Sequence, residues 1–236
     1  MSCRIVLLGV LLFASLGHAK GSKPITVVEL FTSQGCYSCP PADAFLGELK
    51  HQDNIIALSC HVTYWNYLGW RDTFSKRFCD NRQRGYQSYL QGNAGVYTPQ
   101  MIVNGQYAGI GSRKSRIHKL INVAQQRTQV QSIQLSFSES EKRVEISLPE
   151  LVSKTQRLLL LGTSGEHSLP IARGENGGKQ LTYHNPVEEV IQLGAWDGQQ
   201  KKLVQEVDSS SVNEWVVIAQ EWPLGQITAA GKVSVK

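Results

Sequence analysis

Hydrophobic positions follow two textures along the chain. From Pro24 to about Gln126, apolar runs alternate with helical stripes. "ITVVELF" (Ile25 to Phe31) is a β-branched run suited to a strand buried on both faces. Pro40 and Pro41 stand where a first helical turn needs no backbone donors, and Ala42, Phe45, Leu46 and Leu49 then form one stripe at i, i+3, i+4, i+7. "NIIALSCHV" (Asn54 to Val62) predicts a second strand. A second helix is expected over Thr73 to Gln91, solvated and weakened in its middle by Gly85. In "VYTPQMIVNGQYAGIGS" two short apolar runs flank Asn104-Gly105, the strongest short hairpin signal in a sequence. Ser112 is the expected cap of a last helix carrying Ile117, Leu120, Ile121 and Ala124. The predicted order is β, α, β, α, β, β, α.

Beyond the polar stretch "QQRTQVQS" (Gln125 to Ser132) the pattern changes to strands. "IQLSF", "KRVEISL", "RLLLLG", "KLVQEV", "WVVIAQEW" and "KVSV" are joined by turn-rich pieces such as "RGENGG", while "PVEEVIQLGAW" is ambiguous between helix and strand. The expected organisation is residues 24–127 as an α/β domain and 133–236 as a mainly β, sandwich-like domain. No internal repeat interrupts either part.

The first residues change the picture. "MSCRIVLLGVLLFASLGHA" has a positive charge at Arg4, an apolar run from Ile5 to Leu16, and small residues at Gly17 and Ala19, the layout of a secretory signal over residues 1–19. The run is short for a membrane span, and no cysteine follows it to carry a lipid. The expectation is a periplasmic or secreted protein without stable membrane insertion. A net charge of +5, scattered rather than clustered, gives no nucleic-acid surface. Cleavage after Ala19 leaves Cys36, Cys39, Cys60 and Cys79, an even set that in an exported chain favours disulfide chemistry.

Cys36 and Cys39 form a CxxC pair between a buried strand and a helix. Free N–H groups and the helix dipole stabilise a thiolate on the first cysteine, so Cys36 is the candidate nucleophile. Cys39, deeper in the helix, is placed to resolve a mixed disulfide. Thr98-Pro99, directly before the hairpin, completes an arrangement that resembles the thioredoxin-like fold. That resemblance implies a cis Pro99 beside the pair, shaping a substrate groove together with Thr98. Of the three pairings four cysteines allow, Cys36 with Cys39 and Cys60 with Cys79 is the expected one. The second bridge would contribute on the order of 3 kcal/mol. Tyr64, Trp65, Tyr67 and Trp70 are candidates to line a groove for a peptide or aromatic ligand. No cofactor is required.

Two other readings compete. The thiols could bind metal: Cys36, Cys39 and His61 suit copper, whereas zinc held by both Cys60 and His61 is disfavoured because strand neighbours point to opposite faces. Alternatively the pair is a fixed staple in a non-catalytic binding module. In the β-rich part, Arg173, Glu175 and Asn176 could form a polar loop site, although charged glycine-rich turns are ordinary in β-domains.

The motifs "ELFTSQGCYSCPPAD", "HVTYWNYLGWRD", "RQRGY", "VYTPQMIVNG", "RGENGG" and "LGAWDG" together resemble the exported bacterial family catalogued as domain of unknown function 1223, whose N-terminal half is thioredoxin-like. The resemblance runs from about Ile25 to the C-terminus. It implies a redox or partner site at Cys36, Cys39 and Pro99, with His61, Tyr64, Trp65 and Trp70 nearby; the first functional expectation, from the CxxC chemistry, is a thiol–disulfide oxidoreductase acting on protein or small-molecule thiols. Thr63 and Asn66 stand where acidic residues are common in the family, and Cys60 and Cys79 look like additions to it.

Overall fold

The computed structural model describes residues 24–90, 95–151, 155–208 and 210–235. The expected signal segment, residues 1–19, lies outside the described residues. The N-terminal part runs β1 (Thr26–Thr32), α1 (Pro40–Lys50), β2 (Ile55–His61), α2 (Arg77–Tyr89), β3 (Gln100–Val103), β4 (Tyr107–Ile110) and α3 (Lys114–Arg127), the order predicted. Its sheet has the order β2-β1-β3-β4, with β1 parallel to β2 and antiparallel to β3.

β1 is buried along its whole length, and its two faces meet different partners. Val28 and Leu30 pack against Ala42, Phe45, Leu46 and Leu49 of α1 and the apolar stripe of α3. Phe31 faces Tyr86 of α2. On that side Glu29, a carboxylate inside a central strand, is compensated by Arg82, whose Nη2 lies 3.0 Å from Oε2, and by the Tyr86 hydroxyl at 2.5 Å. A buried charge demands such pairing.

The hairpin forms as predicted, Asn104 and Gly105 taking φ of 48° and 70°. The Asn104 side chain also accepts the Val27 N–H and donates to Thr128, so it locks the turn onto β1 and the end of α3. Two helix boundaries differ from expectation. α2 begins at Arg77, because the chain after Thr73 is held in a turn by Asp72. α3 is capped by the backbone of Arg113 without a side-chain hydrogen bond, leaving Ser112 one residue outside the cap position.

The remainder is β-rich. Its strands are β5 (Gln131–Ser132), β6 (Gln134–Ser138), β7 (Arg143–Leu148), β8 (Gln156–Thr163), β9 (Glu166–Pro170), β10 (Gln180–His184), β11 (Val187–Trp196), β12 (Lys201–Glu206), β13 (Glu214–Glu221) and β14 (Ile227–Ser234). A five-stranded sheet, β11-β8-β13-β14-β5, stands beside a three-stranded sheet, β12-β7-β6, and β9 and β10 form a hairpin of their own.

The apolar run of β8 is explained by burial on both faces. Leu158 and Leu160 meet Ile146 and Leu148 of the three-stranded sheet. Leu159 and Leu161 meet Val27, Ile56 and Leu58 of the N-terminal sheet. The ambiguous "PVEEVIQLGAW" is strand β11, bent by register shifts, one of them at Gly194 with φ 97°. β9 and β10 were not expected. Their loop and β10 reach back onto α1 and β2, with the Ser59 N–H bonded to Asn185 O at 3.0 Å. Among the described residues no helix is long and apolar enough to cross a membrane.

Candidate functional site

After β1 the chain makes two tight turns, Cys36 N–H to Ser33 O and Cys39 N–H to Cys36 O, that deliver Cys39 to the cap position of α1. Pro40 and Pro41 fill the first helical positions. No side chain caps the helix, so its N-terminal field acts on the sulfur-bearing turn. Cys36 and Cys39 are joined in a disulfide with Cα atoms 5.4 Å apart.

The loop before β3 meets this pair. The Thr98-Pro99 peptide is cis, and the Thr98 hydroxyl donates to Cys36 Sγ at 3.2 Å while accepting from Trp65 Nε1 at 2.8 Å. Trp70 Nε1 donates to Gln34 Oε1 at 2.8 Å, and Tyr64 donates to Gln83 at 3.1 Å. Tyr64, Trp65 and Trp70 therefore turn their polar tips inward and hold the loops around the cysteines. Tyr37 and Tyr67 are the exposed aromatics of this face. Cys36 was expected to be the more open of the two sulfurs; the structure buries both residues, at 1% and 0% exposure.

Cys60 and Cys79 form the second disulfide, which ties the end of β2 to the first turn of α2. Thr63 and Asn66 serve structural ends: the Thr63 N–H and hydroxyl both donate to Asp80 of α2, and Asn66 bridges Ser75 and the Asp72 N–H.

His61 does not join the CxxC sulfurs in a ligand set. Its Nδ1 is 2.7 Å from Asp72 Oδ2, Cys36 and Cys39 bond to each other, and among the described residues no three His, Cys, Asp or Glu side chains are disposed to hold a metal ion.

Sequence reasoning missed a buried ionisable group behind the pair. Asp43, four residues beyond Cys39 and so on the same helix face, is 3% exposed, and neither carboxylate oxygen has a hydrogen-bond partner. The Thr32 hydroxyl, His61 Nε2 and the Tyr183 hydroxyl are likewise buried and unpartnered. Burial pushes the Asp43 carboxyl up to about 7, against the pull of nearby His61 and of the Thr32 hydroxyl, which lies beside it without forming a well-aligned hydrogen bond. Desolvation opposes charge on His61, yet the Asp72 carboxylate outweighs it and holds the imidazole above its usual value. For Asp72 desolvation is likewise overcome, by His61 and the Gln34 and Phe74 N–H groups, so that carboxyl lies low. The only sequence hint of Asp43 was an acid on the apolar side of the α1 stripe.

The "RGENGG" segment also comes to this place, contrary to its reading as an ordinary turn. Asn176, fully buried, donates both amide hydrogens at 2.9 Å, to Gln34 O and to Cys36 O. Glu175 Oε2 accepts the Tyr37 N–H at 3.1 Å. Lys179 reaches Asn176 Oδ1 at 2.9 Å and stands 4.5 Å from the Tyr37 ring centre. Arg173, the third residue expected there, is exposed. A segment about 140 positions away thus finishes the cysteine turn.

Over about nine-tenths of its length the chain resembles two solved structures. One is the crystal structure of protein AGR_C_4864 from Agrobacterium tumefaciens, 28% identical, with a TM-score of 0.79, covering 91% of this chain and 96% of that one. The other, HBP35 of Porphyromonas gingivalis, is 17% identical, with a TM-score of 0.58, covering 91% of this chain and 76% of that one, and its likeness is one of fold alone. No curated protein sequence matches. The family model described as protein of unknown function (DUF1223) matches residues 27–220, most of the chain, and the protein belongs to that family.

Proposed function

We propose that this protein is an exported thiol–disulfide oxidoreductase, with a thioredoxin-like unit over residues 24–127 and a β-rich companion over 133–236, and that it acts on thiols of proteins or small molecules. The observation that carries the reading is the meeting at Cys36. A sulfur at the opening of a helix receives a hydrogen bond from Thr98, a residue 62 positions away. That donor and the helix N-terminus both favour a thiolate.

The chemistry is exchange. With the pair reduced, the Cys36 thiolate attacks a substrate disulfide, forming a mixed disulfide and expelling one substrate sulfur as thiolate. Cys39 gives its proton to Asp43 and attacks Cys36 Sγ, which releases the second substrate sulfur and closes the Cys36–Cys39 bond. Two electrons pass to the substrate, and the reverse sequence oxidises a dithiol. Thr98 and the cis Pro99 stand beside Cys36, where the substrate would dock, and Tyr64, Trp65 and Trp70 hold the surrounding loops in place. Since Cys36 is covered in the disulfide form, substrate binding displaces part of that cover. Two disulfides, the second between Cys60 and Cys79, suit an oxidising compartment reached by export through residues 1–19.

The test is reduction of insulin disulfides by dithiothreitol, together with capture of partners by Cys39→Ala in cells. The expected result is turnover that falls to background in Cys36→Ser, and covalent adducts of Cys39→Ala that disappear on reduction. Inertness of the wild type in the first and an absence of adducts in the second would overturn the reading.

A further inference from the structure

We propose that the loop between β9 and β10 is a working part of the redox centre, and that Glu175 and Lys179 set the balance between disulfide and dithiol at Cys36. The inference rests on the redox reading above and extends it to residues of the β-rich part.

Asn176 removes the ordinary explanation of this loop. A solvated glycine-rich turn keeps its polar side chains in water, but this amide is fully buried and uses both hydrogens on carbonyls of the cysteine turn. Its oxygen accepts from Lys179, so every polar atom of the side chain is engaged. Asn176 is a positioning residue. It fixes the loop to the cysteine turn and thereby fixes where two opposite charges lie.

Glu175 takes the Tyr37 N–H, the backbone donor next to Cys36. Lys179 lies over the Tyr37 ring. The two charges therefore flank the residue that follows the nucleophile. Charge appears at Cys36 only when the pair is reduced: the disulfide is neutral, and reduction by an external thiol breaks the S–S bond and leaves a thiolate there. A neighbouring carboxylate disfavours that state and a neighbouring ammonium favours it. Whatever stabilises the thiolate makes the disulfide easier to reduce. At the separations that adjacent residues impose, in a partly wet site, one unit charge changes such an equilibrium by about three- to tenfold.

The experiment equilibrates the purified protein in glutathione redox buffers at low salt, then alkylates and reads the state of the Cys36–Cys39 peptide by mass. Glu175→Gln keeps an acceptor for Tyr37 and removes the charge, and it is expected to raise the equilibrium constant for reduction about three- to tenfold. Lys179→Met is expected to lower it by a similar factor. Asn176→Ala frees the loop, and adding Glu175→Gln to it is expected to change nothing further. Should Asn176→Ala fail to fold, the two charge variants still decide. If both charge variants stay within about twofold of wild type while the couple remains reversible, the loop has no such role and the redox reading stands. If the wild-type disulfide cannot be reduced in the folded protein at all, both fall together.

Discussion

At the scale of a residue, Asp43 carries the clearest consequence. A carboxyl buried without a hydrogen-bond partner prefers its proton, and burial places this one at about 7 in the folded chain against an ordinary 3.8. The folded state therefore binds a proton that the unfolded state has already lost. Stability from this group is whole below the ordinary value and drains as pH rises to about 7, at about 1.4 kcal/mol per unit. His61, held above its usual range by Asp72, works in the same direction at somewhat higher pH. Asp72 acts oppositely, its contribution disappearing only in acid. Asp43→Asn keeps the shape and cannot ionise. Urea unfolding from pH 5 to 8 should show the wild type losing several kcal/mol and the variant losing much less. Equal slopes would mean that Asp43 is already ionised in the fold. On the redox reading, the same variant should slow release of the mixed disulfide most from about pH 7 upward, where Asp43 is ionised and can take the proton of Cys39, and least in acid, where the wild-type carboxyl is already protonated.

At the scale of elements, the Cys60–Cys79 bridge joins β2 to α2 across a sequence separation of 19. A loop of that size, closed in the unfolded chain, is worth about 3 kcal/mol. Replacing both cysteines by alanine should cost about that much in urea, more if the sealed cluster with Phe31 and Tyr86 collapses poorly, and should leave the Cys36–Cys39 equilibrium unchanged. A matching shift in that equilibrium would show that the two bridges are coupled. The elements legible from sequence are those whose own residues carry the signal. The β1 run, the α1 stripe and the Asn104-Gly105 turn are of this kind, each set by local periodicity or backbone preference. β9 and β10 were not legible, since they are five-residue strands separated by a nine-residue loop and their burial comes from distant partners. Glycines inside helices hinted at such partners. A Cβ at Gly47 would stand 2.4 Å from the His184 ring of β10, and one at Gly85 would stand 2.1 Å from Leu224. What read as a weak point in α2 is a seat for the β-rich part. Cys36, Cys39 and Thr98 could be chosen from spacing, but Asn176 and Glu175 could not, because nothing local in "RGENGG" says that it lies against a residue 140 positions earlier.

At the scale of the molecule, the layers run from α1 and α3 through the four-stranded sheet to the five-stranded sheet and then the three-stranded one. The middle interface is aliphatic: Val27, Ile56 and Leu58 on one side, Leu159, Leu161, Val216 and Ile218 on the other. Polar ties reinforce it where the buried Glu29, Arg82 and Tyr86 group reaches Gln220 of β13 at 2.9 Å. Burying each aliphatic side chain is worth about 1.5 to 3 kcal/mol. Exposing Val27, Ile56 and Leu58 alone would therefore remove roughly 5 to 9 kcal/mol, comparable with the whole stability of an ordinary domain. A chain ending at residue 127 keeps both cysteines of the CxxC and all three helices, yet it should fail to unfold cooperatively and should bind a hydrophobic dye. A sharp urea transition in that fragment, with the Cys36–Cys39 couple at its full-length value, would mean that the β-rich part is a separable appendage. The loss expected instead follows from how the site is made, since the β-rich part supplies both the floor under β1 and β2 and, through Asn176, the far side of the cysteine turn.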